Sequence, residues 1–125
     1  MDMVFDALGR KMVRYEAQIE PIVADREVTT AHFAVSQGQV RGLRQTAHGY
    51  TEGGEFLTLT FVAALDAGED GDTIIIRGLP DLEVQLVGTN GDVATVAIAV
   101  NSIRNVHEAE PGLMTMRDLP IITHW

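Results

Sequence analysis

The sequence predicts an α+β domain. It is expected to hold an open mixed or antiparallel β-sheet of about five strands, one long helix in the C-terminal half and a short N-terminal helix. Three observations support this class: several stretches alternate apolar and polar residues, a later stretch repeats apolar residues at helical spacing, and glycine-rich turns separate the stretches. The 125 residues match the usual size of one domain, so residues 1–125 are expected to form a single domain.

The N-terminal segment combines a short helix with a strand. Apolar residues at helical spacing follow Asp2, a suitable N-cap, and Gly9 is expected to end the helix in the left-handed conformation. Residues 13–24 then alternate between apolar and polar side chains, which is typical of a strand with one solvated face. Pro21 lacks an N–H and therefore places this strand at a sheet edge or at a bulge.

Two further strands are predicted to form a hairpin. Residues 40–50 and 56–65 flank a Gly-rich turn, whereas residues 25–38 are expected to be mostly loop. The second strand has one face with Leu57, Leu59, Phe61, Ala63 and Leu65, and another with Phe56, Thr58, Thr60, Val62 and Ala64. Because neither face carries a charge, we expect both faces to be covered.

The C-terminal half is predicted to contain two short strands and the long helix. Residues 73–76 and 82–87 are the strands. The helix begins with Asp92 as its N-cap and stops near Pro111-Gly112. Its apolar positions are Val93, Val96, Ala97, Val100, Ile103 and Val106.

The predicted numbers of strands and helices have a geometric consequence for assembly. One long helix and one short helix can cover one face of a five-stranded sheet, but hardly both. Since the strand at residues 56–65 offers no solvated face, other residues should cover the second face. The simplest candidate is the same sheet of a second chain, packed by two-fold symmetry. We therefore predict a homodimer formed through the sheet face.

Charge and composition exclude several classes of partner. The net charge of −9 argues against nucleic acid and anionic membranes as partners, because both require a basic surface. The charge permits a cationic ligand, although acidic surfaces mostly favour solubility. The absence of cysteine excludes disulfides and thiolate chemistry and is consistent with a cytoplasmic location. No secretory leader is expected, and no run approaches the ~18 apolar residues of a membrane span.

A polar row on one central strand is the strongest candidate site. Arg44, Thr46, His48 and Tyr50 share one face by the two-residue period of a strand. Such a row can line a substrate pocket, form a solvated face or make a dimer contact. Asn101 is a polar residue within the apolar helix, where a buried amide needs a partner. That partner is either backbone, where the helix meets the tail, or a ligand.

Metal and nucleotide sites are not predicted. The four histidines are His32, His48, His107 and His124. No two of them have the spacing of a metal-binding helix or hairpin. The glycine pairs at 68/71 and 88/91 lack the third glycine and the strand–turn–helix context of a dinucleotide-binding loop. The paired carboxylates at 52/55 and 69–72 are expected to be solvated turns. We therefore expect this chain alone to bind no cofactor.

Three segments carry a family resemblance. They are residues 40–50, residues 76–82, and the stretch from GD-x-AT at residue 91 through N-S-I at residue 101 to PGL-x-T-M-x-DLP at residues 111–120. Together they resemble the C-terminal domain of the 2,4-diaminopentanoate dehydrogenases. That family includes amine dehydrogenases and is related in architecture to dihydrodipicolinate reductase.

The resemblance implies a role beside a nucleotide-binding partner. In such enzymes an N-terminal Rossmann half binds NAD(P)H, and the C-terminal half walls the substrate pocket and builds the dimer. The chain would then be the substrate-side and dimerisation domain of an NAD(P)-dependent amine or diamino-acid dehydrogenase-like oxidoreductase. It would need a separate Rossmann domain or subunit, and it is not expected to be active alone. The row that includes His48 would face the small-molecule substrate.

The sequence is also compatible with a second class of function. The chain starts with Met1 and a plausible capped helix, as expected of a free-standing small-ligand-binding or scaffold protein that kept the fold without redox activity. The hypothesis that the chain is the substrate-side domain of a dehydrogenase, here called the enzyme-fragment hypothesis, makes a distinct prediction about the apolar tail at residues 113–125. That tail should pack on a second chain or be disordered, rather than fold snugly over its own core.

Overall fold

The structure is a computed structural model that describes residues 1–123. Its residues form two compact units, Met1–Ala67 and Gly68–Trp125, and each unit is described by itself. Antiparallel sheets together with one long and one short helix confirm the predicted α+β class. His124 and Trp125, which belong to the predicted apolar tail, lie outside the described residues.

The first unit is built on a three-stranded antiparallel sheet. Its elements in chain order are α1 (Asp2–Ala7), β1 (Arg14–Val23), β2 (Val28–Thr29), β3 (Ala34–Val35), β4 (Val40–Thr51) and β5 (Gly54–Ala64). The strand order is β1–β4–β5, and β2 pairs with β3 in the segment that was expected to be mostly loop. The predicted edge position of Pro21 agrees with this order, because β1 is an outer strand.

The register of this sheet separates two chemically different faces. The polar face carries Arg14, Glu16, Gln18 and Glu20 from β1, Arg44, Thr46, His48 and Tyr50 from β4, and Thr58, Thr60 and Val62 from β5. The apolar face carries Tyr15, Ala17, Ile19, Leu43, Gln45, Ala47, Gly49, Leu57, Leu59 and Phe61. The alternation predicted for the first strand is therefore confirmed, and it continues across all three strands.

A β-bulge interrupts this alternation near the hairpin turn. Gly49 is opposite Leu57, but Tyr50 is opposite Glu55, so Phe56 is the extra residue of β5. The Phe56 ring packs edge-on against Phe5 of α1, with ring centroids 5.3 Å apart and an interplanar angle of 62°. The prediction that Phe56 shares a face with Thr58 is wrong, because the bulge turns Phe56 toward α1.

Helix α1 reaches the sheet through a glycine. Phe5 is only 1% exposed and is the one large side chain that is fully buried among the residues described. A Cβ placed on Gly49 would lie 2.6 Å from Met1 Sδ and 2.7 Å from Phe5 Cε2. Gly49 is therefore required by the close approach of the helix rather than by an unusual backbone angle.

Helix α1 covers only part of the apolar face, and most of the side chains on that face are exposed. Ile19 is 64% exposed and Phe61 is 60% exposed, and Tyr15, Leu43 and Leu59 also remain accessible. Contiguous apolar surface of this kind usually marks an interaction site. The expectation that both faces of the strand at residues 56–65 are covered is therefore not met within the described residues, where most side chains of that strand are exposed.

The second unit contains a β-hairpin and the long helix. The hairpin pairs β6 (Gly71–Ile76) with β7 (Leu82–Val87), and α2 spans Gly91–Glu108. The five longer strands are thus all present, but they divide between a three-stranded and a two-stranded sheet. None of the α2 residues is buried, so the apolar stripe of the helix remains accessible. Neither helix found within residues 1–123 combines the length and hydropathy needed to cross a bilayer.

Both helices are capped one or two residues earlier than predicted. Met1, not Asp2, is the N-cap of α1, and Gly9 has the expected left-handed φ of 60°. Asn90, not Asp92, caps α2, and its side chain accepts a hydrogen bond of 3.0 Å from the Val93 N–H. Asp92 lies in the first turn, where its charge interacts favourably with the helix dipole.

This difference in capping can be measured. Asn90→Ala is expected to lower the free energy of unfolding by about 1 kcal/mol, the usual cost of losing a side-chain N-cap. Asp92→Ala should have a smaller effect of about 0.3–1 kcal/mol, because it removes only a charge–dipole interaction. Thermal denaturation followed by circular dichroism compares the two variants. A larger loss for Asp92→Ala would contradict the assignment of Asn90 as the cap.

Candidate functional site

The four residues predicted on one strand face are brought together by the structure. Arg44, Thr46, His48 and Tyr50 alternate along β4, which is the central strand of its sheet. Each has a cross-strand neighbour on β1, and three of these neighbours are charged: Glu20, Glu16 and Arg14. The row is therefore the middle of a broad polar surface with both signs of charge.

One end of this surface is organised around Tyr50. Its hydroxyl donates a hydrogen bond of 3.2 Å to Glu16 Oε2, and the Arg14 guanidinium lies over its ring, 3.9 Å from the centroid. Arg14 also forms an ion pair with Glu16. Desolvation and then the hydrogen bond to Glu16 raise the pKa of the Tyr50 phenol above its usual value. Tyr50 is thus kept as a neutral hydroxyl with a fixed orientation.

His48 takes part in a second network with β5. Its Nδ1 lies 3.2 Å from Glu55 Oε1 and 3.3 Å from Thr58 Oγ1. The Thr58 hydroxyl donates to the same Glu55 oxygen. The hydrogen bond from Thr58, and then that from His48, hold the pKa of the Glu55 carboxyl below its usual value. Glu55 is therefore an anion at neutral pH.

Arg44 provides a cation at the other end of the row. Its cross-strand neighbour Glu20 accepts a hydrogen bond of 2.9 Å from Gln18 Nε2. Arg44 itself makes no hydrogen bond or ion pair with any residue in the described part of the chain. A guanidinium in this situation can bind a carboxylate in two parallel hydrogen bonds. Thr46 separates Arg44 from His48 and faces Thr60 on β5.

Asn101 lies in the second unit, on α2, and is half-buried rather than buried. The bond between helix and tail that was one interpretation of Asn101 is made instead by Asn105, whose Nδ2 donates to Pro120 O at 3.2 Å. Asn105 lies one helical turn beyond Asn101 on the same side. Asn105 is an amide on the same helix, but no local sequence pattern shows which of the two amides reaches the tail.

Two acidic residues of the polar surface were not among the predicted site residues. Glu16 was assigned to a solvated strand face, and Glu55 to a solvated turn. Both are accessible, yet they bond to Tyr50 and His48 respectively. Their proximity to those residues depends on strand register and on the bulge, which single-sequence periodicity does not reveal.

The residues present do not fit a dinucleotide. Contrary to the sequence analysis, Gly88 and Gly91 do lie between a strand and a helix, because β7 is followed by α2. However, Leu86 stands where the first glycine of the dinucleotide loop would be, and β7 belongs to an antiparallel hairpin. The helix N-terminus is already occupied by the Asn90 side chain, and Asp92 places a negative charge there. A pyrophosphate would be repelled by that carboxylate.

No metal site is indicated either. Within residues 1–123, no group of three or more histidine, aspartate or glutamate side chains is arranged to hold a metal ion. The acidic stretch at residues 69–72 therefore lacks the convergent ligands that a cation needs.

The lowered pKa of Glu55 can be tested by titration. The Glu55 carboxyl is expected to titrate at lower pH than an ordinary glutamate, and Thr58→Val should raise its pKa. Because the folded-state pKa is depressed, this stabilisation is present above the unfolded-state value and is lost as the pH falls through the folded-state value. NMR of the Glu55 side-chain carboxyl gives the titration midpoint in the wild-type protein and in Thr58→Val. Thr60→Val, on the same face, is the control and should leave the midpoint unchanged.

Comparison with known proteins identifies the family. The family model of the 2,4-diaminopentanoate dehydrogenase C-terminal domain matches residues 1–125. The chain belongs to this family. The sequence is 31% identical over 125 residues to the 2,4-diaminopentanoate dehydrogenase of Acetoanaerobium sticklandii, covering 95% of this chain and 35% of that protein. The family resemblance noted in the sequence is therefore confirmed.

A solved structure supports the same fold. The amine dehydrogenase from Mycobacterium smegmatis superposes with a TM-score of 0.84 at 20% identity, covering 99% of this chain and 38% of that chain. Both relatives are much longer, and this chain spans only 35% of the first and 38% of the second. The chain thus matches a dehydrogenase C-terminal domain and not a whole dehydrogenase.

Proposed function

We propose that residues 1–125 act as one domain that provides the substrate side and the dimer contact of an NAD(P)-dependent, amine or diamino-acid dehydrogenase-like oxidoreductase in the cytoplasm. NAD(P) would be bound by a Rossmann domain on the same or another polypeptide. The observation that carries this proposal is the polar face of the three-stranded sheet, where His48 and Tyr50 bond to carboxylates and Arg44 shares the same face.

The charges of this face suit a small amino-acid-like substrate. Arg44 offers a guanidinium to a carboxylate, while Glu16 and Glu55 make the His48 end acidic and suited to an ammonium group. Arg44 and His48 are four residues apart on one strand, which corresponds to about 13 Å between their Cα atoms. Thr46 lies between them on the same face, so a substrate that contacts both Arg44 and the His48 network would lie across Thr46. The role of this chain is then to bind and orient the substrate.

The opposite face of the sheet supports the dimer proposal. Helix α1 covers the end of this face near Gly49, and Ile19 and Phe61 beyond it remain more than half exposed. Aligned packing of two such sheets about a two-fold axis would bury both sets of side chains at once. The polar face would stay accessible to substrate, because the two functions use opposite sides of the same strands.

The tail of the second unit is consistent with a partner chain. Leu113 is 100% exposed and Ile121 is 80% exposed. The enzyme-fragment hypothesis predicts such a tail, because it would pack on a second chain. A turn in which Thr115 and Asp118 bond to each other is formed locally within it.

Substrate binding is tested by titration with 2,4-diaminopentanoate, the substrate named for the relative, monitored by backbone NMR. Shifts are expected at residues 44–50 of the polar face. Arg44→Gln should weaken binding about tenfold or more, because it removes charge-assisted hydrogen bonds. Arg77→Gln, which removes an exposed arginine of the second unit, is the matched control. Shifts confined to other residues, or no binding, would contradict the substrate assignment.

Assembly and cofactor binding are tested on the same sample. Light scattering should give twice the chain mass of 13.6 kDa, and titration with NADH or NADPH should give no change in nicotinamide fluorescence. Phe61→Asp should yield a monomer, whereas Phe33→Asp should not, because Phe33 is equally exposed but lies outside the sheet. A folded monomer at micromolar concentration, or tight NAD(P)H binding, would contradict the proposal.

A further inference from the structure

The contacts around His48 determine where its proton lies. Nδ1 faces two oxygen atoms, Glu55 Oε1 at 3.2 Å and Thr58 Oγ1 at 3.3 Å. An ionised carboxylate can only accept hydrogen bonds, and a threonine hydroxyl has a single proton to donate. Thr58 donates that proton to Glu55. Both oxygen atoms are therefore acceptors toward the imidazole, and Nδ1 must carry a hydrogen.

We propose that Glu55 and Thr58 are positioning residues that hold neutral His48 in the tautomer protonated on Nδ1, so that Nε2 serves as a hydrogen-bond acceptor on the polar face. No residue among those described bonds to Nε2. The ligand group that suits this nitrogen carries an N–H or O–H, and an ammonium group is the simplest example. This last point rests on the proposed function, whereas the tautomer itself does not.

The other charged groups near His48 leave this assignment intact. Glu16 on β1 is directly opposite His48, but its carboxylate is engaged by Arg14 and by the Tyr50 hydroxyl. On β5 the facing groups are Glu55 and Thr58. Glu55 can reach His48 because the bulge pairs it with Tyr50, two residues from His48 on the same face. The carboxylate–histidine contact is thus a product of the hairpin geometry.

The tautomer can be read directly by long-range 1H–15N NMR of the imidazole nitrogens. The protein is labelled with 15N, and the measurement is made at a pH at which the His48 ring is neutral. In the wild-type protein, His48 Nδ1 is expected to show the signature of a protonated nitrogen and Nε2 that of an unprotonated one. Glu55→Gln and Thr58→Val should each lower the ratio of the Nδ1–H to the Nε2–H form, by about tenfold for Glu55→Gln.

Two matched variants control this experiment. Glu52→Gln removes a carboxylate from the same turn, and Thr60→Val removes the next hydroxyl on the same face of β5. Neither residue bonds to His48, so neither change should alter the tautomer ratio. Amide spectra of all variants establish that the sheet remains folded. The spectroscopic readout isolates positioning of the ring from a purely structural role.

Each outcome bears on a separate claim. A wild-type His48 protonated on Nε2, or a tautomer ratio that both Glu55→Gln and Thr58→Val leave unchanged, would overturn the inference. The expected tautomer, with no change in the Nε2 shift on titration with 2,4-diaminopentanoate, would uphold the positioning role of Glu55 and contradict the proposed function. A shift of Nε2 during that titration would support both.

Discussion

Replacing Phe5 with alanine is expected to lower the free energy of unfolding of the first unit by about 3–5 kcal/mol. Phe5 is 1% exposed, and its ring packs on Phe56 across the bulge. Alanine would leave a cavity between α1 and the sheet, with few other buried side chains to compensate, since Ala24 and Val28 are the other buried apolar residues described. Urea denaturation followed by circular dichroism at a fixed protein concentration measures the loss.

Phe33→Ala is the matched control for this prediction. Phe33 is 66% exposed, so its removal should change the free energy of unfolding by no more than about 0.5 kcal/mol, as is usual for surface positions. Equal losses for the two variants would show that α1 does not form the core of the unit.

Gly49→Ala is expected to destabilise the same unit by about 1–3 kcal/mol. The new methyl group would meet Met1 Sδ at 2.6 Å and Phe5 Cε2 at 2.7 Å, both far below van der Waals contact. Met1 has a flexible side chain, but the buried Phe5 ring can retreat only by moving α1 off the sheet. Thermal denaturation reports the loss, and a weaker edge-on contact between Phe5 and Phe56 should appear in the near-ultraviolet circular dichroism.

Gly53→Ala is the control for Gly49→Ala. A Cβ on Gly53 would have Thr51 Oγ1 as its nearest neighbour, at an ordinary 3.6 Å. This variant should retain nearly wild-type stability. Gly49→Ala introduced into Phe5→Ala should cost less than it does in the wild-type protein, because the ring that it would strike is gone. Additive effects of the two changes would contradict the packing of α1 against Gly49.

Much of the sheet could be predicted because side-chain alternation and turn residues are local signals. The strand at residues 13–24, the hairpin and the shared face of Arg44, Thr46, His48 and Tyr50 all follow from the two-residue period of a strand. The division of the strands into separate sheets could not be predicted in this way. Pairing partners are chosen by long-range contacts, and the alternation of a strand does not specify its neighbour.

The bulge and the helix caps illustrate what local patterns leave undetermined. Phe56 and Glu55 follow a regular alternation on paper, and only the register with Tyr50 shows that one residue is extra. Asn90 and Asp92 are equally good capping residues two positions apart, and the choice depends on where the backbone leaves β7. For the same reason, the partners of His48 became visible only once the strands were aligned.

The extra residue in β5 separates two properties that a regular strand would tie together. In an uninterrupted strand, Phe56 would lie opposite Tyr50 on the polar face and Glu55 would lie on the apolar face, so neither could make the contact that it makes here. Here the aromatic ring at position 56 and the carboxylate at position 55 occupy neighbouring positions with different tasks. Substitutions at position 56 should therefore change mainly stability, and substitutions at position 55 should change mainly ligand preference. The two properties can then be engineered independently within one hairpin.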